Sequence, residues 1–109
     1  MPQAQFIHDG NSIDYRPVAD TPAGTVVVQS DLVGVTRNEI KANALGSLSL
    51  VGVYDFAKLA GNALAVGTIV YWDTTNFVVT STAGALKKAG KVVRAAGIPD
   101  TTARVVLLQ

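Results

Sequence analysis

The chain has 109 residues, a formal net charge of +1 and no cysteine. Its length fits one domain, the missing cysteines exclude disulfides and thiolate metal centres, and the near-neutral charge gives no global attraction to nucleic acid. Hydrophobic residues make up 49% and charged residues 16%, against a usual charged share of about 25%, which points to surface covered by a partner or by further copies. Charge is uneven along the chain. Residues 1–80 carry a net −3 and residues 81–109 a net +4, a split that suits head-to-tail packing or orientation on a charged partner, or else a plain solvated basic face.

Taken in chain order, the pattern is rich in strands. MPQAQFIHDG has neither the basic nor the apolar region of a secretory signal, so a cytosolic origin is expected. FIHDGNSIDYRP (6–17) gathers His8, Asp9, Ser12, Asp14 and Tyr15. It is an unpromising catalytic group. A Ser-His-Asp triad needs an oxyanion hole and a supporting architecture, extended backbone turns His8 and Asp9 to opposite sides, and no G-x-S-x-G elbow occurs. Asp9-Gly10-Asn11 reads instead as a turn, within an N-terminal arm or hairpin over 1–16. PVADTPAG (17–24) joins it to a single β domain over 17–109.

TVVV (25–28), LVGV (32–35), LGSLSLVGVY (45–54), TIVYW (68–72), NFVVTS (76–81), KVVRAAGI (91–98) and ARVVLL (103–108) each read as strands. DFAKLAGNAL (55–64) places Phe56, Leu59, Ala60 and Ala63 at helical spacing and predicts at most one short helix near 55–61. NEIKANAL (38–45) fits a helix or a loop. Gly24-Thr25 and Gly67-Thr68 open similar segments 43 residues apart, suggesting a pseudo-repeat of 23–55 and 66–100. Short strands at close spacing predict an all-β fold, a small β-barrel or sandwich.

Candidate chemistry is sparse. One His and scattered carboxylates make no calcium loop or metal cluster, so neither metal nor cofactor is expected. GALKKAGKV (84–92) fails as a phosphate loop. Five residues separate Gly84 from Gly90, and Val92 stands where a hydroxyl belongs. Lys87, Lys88, Lys91 and Arg94 lack the interleaved aromatics of a nucleic-acid site, so nucleic acid is disfavoured as a partner. Tyr71 and Trp72 must face opposite ways on a strand. The outward one is an interface anchor, and Trp72 is the candidate.

Six segments, in order, carry a family resemblance: F-I-x-D-G-x-x-I-D-Y-x-P (6–17), P-A-G-x-V-V-V (22–28), D-L-V-G-V (31–35), G-V-Y-D-F-x-K (52–58), G-T-I-V-Y-W-D (67–73) and A-R-V-V-L-L (103–108). The chain resembles the bacteriophage capsid cement, or head-decoration, proteins, some of which carry a RecA-like recombinase label that the failed phosphate loop contradicts. The resemblance implies a structural protein of the virion and no enzyme. It implies a homotrimer on the outer surface of the head, at three-fold and quasi-three-fold sites, gripping the major capsid protein of a tailed phage. Synthesis in the host bacterial cytoplasm is implied too, and no membrane. The residue types suited to capsid or inter-subunit contact are Phe6, Ile7, Ile13, Tyr15 and Arg16 in the arm, Trp72, and the basic Lys87, Lys88, Lys91 and Arg94. An alternative reading is an oligomeric β-barrel module that binds a small ligand or nucleic acid.

Overall fold

The computed structural model describes residues 3–109. Nine strands form two antiparallel sheets: β1 (Ser12–Tyr15), β2 (Val26–Gln29), β3 (Leu32–Thr36), β4 (Gly46–Ser49), β5 (Val53–Ala57), β6 (Ile69–Asp73), β7 (Val78–Thr80), β8 (Lys87–Arg94) and β9 (Thr102–Leu107). The smaller sheet has the order β1-β4-β3-β2, and the larger β5-β9-β8-β6-β7. The all-β class therefore holds, as a sandwich. The larger sheet curls until its edge strands meet at one parallel bridge, Lys58 to Val79, but neither sheet closes into a barrel.

Local sequence explains most elements. The β2–β3 hairpin turns through Ser30-Asp31, with Ser30 at φ 54°, in the primed-turn geometry that matches strand twist. The β6–β7 hairpin is held by Asp73. Its Oδ1 accepts from the backbone N–H groups of Thr75 and Asn76, and its carbonyl accepts from Phe77 N–H at 2.8 Å.

Three expectations need correction. The segment 45–54 is two strands in different sheets, broken at Val51-Gly52, where Gly52 takes φ 120°. The helix near 55–61 is absent. Residues 55–57 belong to β5, because pairing Phe56 with Ala103 buries Phe56 in the core, and tertiary burial overrides weak helical spacing. The strand expected at 91–98 starts earlier, at Lys87, and stops at Arg94. Segment 38–45 forms neither helix nor strand; Ile40 makes an isolated bridge to Thr21 and its side chain packs against Gly46 at the start of β4. In the two halves of the sequence echo, β4 pairs with β3 whereas β8 pairs with β6, so the pairing differs.

The core lies inside the curl of the larger sheet and is capped by Val33 and Val35 of the smaller one. At Gly90 the backbone of β9 passes so close that a Cβ would overlap the Val106 carbonyl, so only glycine fits. A smaller apolar patch lies on the other side of the small sheet. There Leu48, fully buried, rests on the bare backbone of Gly34. The radius of gyration is 15.0 Å, above the roughly 13 Å of a compact chain this long, because the sandwich is thin and the arm projects.

Candidate functional site

The arm before β1 is tied to its own domain at its base, where Leu50 N–H donates to the Asn11 carbonyl at 2.9 Å. Phe6 and Ile7 are 78% and 76% exposed, and residues 4–10 join no strand. His8 Nδ1 accepts from Gly10 N–H at 2.9 Å, which orders the turn. Beyond the turn, SIDY pairs with β4, and FIHD pairs with nothing. Ile13 lies opposite Leu48 and Tyr15 opposite Gly46, both half-buried on the outer side of the small sheet. Arg16 donates to the Asn43 carbonyl at 2.6 Å.

Trp72 requires a correction. It is buried, with its ring edge-on to Phe56 at 5.9 Å between centroids. Tyr71 takes the outward side and is half-buried. Parity forces the two apart, but only the packing of Val70 and Trp72 beneath the curl sets which one enters.

The basic residues divide in the same way. Lys87 is half-buried and forms an ion pair with Asp31, tying the larger sheet to the β2–β3 turn. Lys88 lies opposite Tyr71. Lys91 lies between Ile69 on β6 and Val106 on β9, and Val106 lies opposite Val53 on β5. Val53, Val106, Lys91 and Ile69 thus form one row across four strands on the outer face. Val53 is 56% and Ile69 41% exposed. In the next row Arg94 lies opposite Arg104. Arg104 Nε donates to Asp55 Oδ1 at 2.9 Å, and this bond holds the Asp55 carboxyl below its ordinary value and raises the guanidinium. Among the described residues, Lys88, Lys91 and Arg94 have no carboxylate partner within ion-pair distance.

Sequence reasoning missed Val53, Ile69, Val106 and Arg104. Their signal is alternation with buried neighbours, and it becomes readable only once one residue per strand is known to face the core. It also missed Phe77, which is exposed with φ 56°, a conformation costly for an aromatic residue. Phe77 stands beside an apolar groove of about 620 Å³ lined by Val26, Tyr54, Phe56 and Trp72. A larger cleft of about 760 Å³ runs along Ser12, Ser47 and Ser49 with Arg37, Glu39 and Lys41. It is polar and open. No group of three or more metal-binding side chains occurs among the described residues, and no helix is long and apolar enough to cross a membrane.

A family model described as phage cement protein matches residues 7–107. The chain belongs to the phage cement protein family. No curated protein and no solved structure matches it. Membership makes this a structural component of the bacteriophage virion that decorates the capsid, in a family that is not enzymatic. The match takes in every strand of both sheets and leaves out only the first six residues and the last two. Phe6 lies just outside it, and Ile7 is its first residue.

Proposed function

We propose that the chain is a cement protein that assembles as a homotrimer on the outer surface of the head of a tailed phage, after synthesis in the host bacterial cytoplasm. It sits at three-fold and quasi-three-fold positions, grips neighbouring copies of the major capsid protein and holds the expanded shell against the pressure of packaged DNA. No bond is made or broken. A ligand that binds only the expanded lattice stabilises it by mass action, and a trimer engaging several capsid subunits multiplies weak contacts.

The observation that carries this reading, beyond family membership, is apolar surface left uncovered on a chain with few charges. Phe6, Ile7, Val53 and Ile69 are all substantially exposed. A free monomer has no use for such surface, whereas an assembled lattice does. Contacts suited to the shell or to a neighbouring subunit are Phe6, Ile7, Ile13, Tyr15 and Arg16, with Lys88, Lys91 and Arg94 as rim charges. Lys87 serves chiefly inside the domain, through Asp31.

The test adds purified protein to undecorated expanded heads, followed by electron microscopy and a temperature ramp. Three-fold density on the outer surface and a higher rupture temperature are expected. Absence of bound density would sink the proposal.

A further inference from the structure

Two surfaces of this chain are unpartnered and complementary. One is the arm, whose residues 3–9 are all exposed. In extended backbone Ile7 and Asp9 share one side, about 7 Å apart. That side offers an apolar group followed by an anion. The other surface is the outer face of the larger sheet. There the apolar Val106 and Ile69 flank Lys91, with Val53 beyond Val106, and neighbouring strands are about 5 Å apart. That face offers apolar groups beside an unpaired cation, with Lys88 and Arg94 adding positive charge. Asp9 likewise has no ion-pair partner among the described residues.

We propose that the arm of one copy lies across the outer face of the larger sheet of a second copy, with Ile7 over the Val53–Val106–Ile69 surface and Asp9 paired with Lys91. The inference rests on the homotrimer part of the proposed function and adds which surfaces meet. Charge complementarity selects this occupant: residues 3–11 carry Asp9 and no Lys or Arg, and on the face Lys88, Lys91 and Arg94 have no carboxylate within ion-pair distance among the described residues. Reach is set by the five residues from Ile7 to the start of β1, which extend about 17 Å. The arm's own attachment favours a neighbour, since β1 fixes it to the smaller sheet and its own outer face belongs to the other sheet. In isolation the arm buries nothing to offset the entropy of ordering it, and docking on a neighbour supplies that burial.

The test is a charge-exchange cycle on the full chain, read as molecular mass by sedimentation over a wide concentration range. Ile7→Ser, Asp9→Lys and Lys91→Glu should each weaken self-association about tenfold, and Asp9→Lys combined with Lys91→Glu should recover most of the loss. All altered residues are exposed, so unchanged circular dichroism is expected and confirms that each variant folds. A wild-type chain that stays monomeric throughout overturns the proposal. So does an oligomer indifferent to all three single variants, or a double variant no better than the sum of its parts. Head binding, measured in parallel, separates the two readings. Variants that keep their mass but lose the heads place the arm on the shell, which overturns this inference and leaves the cement function standing. A cycle that holds in a protein that ignores heads does the reverse.

Discussion

Lys58 takes an ammonium group into the interior at 4% exposure. Burial of a charge is costly unless it is hydrogen-bonded. Here Nζ donates to the carbonyls of Leu59 and Asp100, both at 2.9 Å, while the Lys58 N–H donates to the Thr101 carbonyl. One residue thereby clips the end of β5 to the turn before β9, at the point where the larger sheet comes nearest to closing. Lys58→Met keeps the length and removes the donors, leaving two carbonyls short of a partner. A loss of about 2 kcal/mol is expected, measured by urea unfolding. A loss below a few tenths would mean that water replaces the ammonium at no cost.

Among the elements, three carboxylates act as fasteners. Asp31 receives Lys87 from β8, Asp55 on β5 receives Arg104 from β9, and Asp73 receives the backbone N–H groups of its own hairpin. In each case these hydrogen bonds are the largest cause holding the carboxyl below its ordinary value of 3.8. The folded state therefore binds fewer protons than the unfolded chain in acid. The stabilisation is fully present above the unfolded value and disappears as pH falls through the lower folded values. The melting temperature should hold steady down to about pH 5 and then decline. Replacing Asp31, Asp55 and Asp73 together by Ala should flatten that decline, and added salt should weaken the two ion-pair contributions. An identical acid profile in the triple variant would show that other groups control it.

For the whole molecule, the thin sandwich with its uncovered outer face and loose arm is an incomplete solution to burying its apolar residues. If copies complete one another, association stabilises the folded state and the melting temperature must depend on concentration. It should rise by a few degrees over a hundredfold increase in protein, and Ile7→Ser should move that rise to about tenfold higher concentration. A melting temperature independent of concentration would mean that the domain is complete alone.

The sequence by itself determined the all-β class, the strands at 25–28, 32–35, 68–72 and 76–81 and the family, because alternation, turn chemistry and ordered motifs are local properties that survive any packing. It also determined that Tyr71 and Trp72 face opposite ways. Which of them enters the core was decided only by tertiary structure, since parity along a strand is indifferent to sign until a second sheet covers one side. The same holds for Phe56, drawn from helical spacing into β5 by its pairing with Ala103, and for the break at Val51-Gly52 that sends β4 and β5 into different sheets. The outer row of Val53, Val106, Lys91 and Ile69 brings together residues from four strands between positions 53 and 106. No local pattern could assemble it, because its members become neighbours only through the strand order.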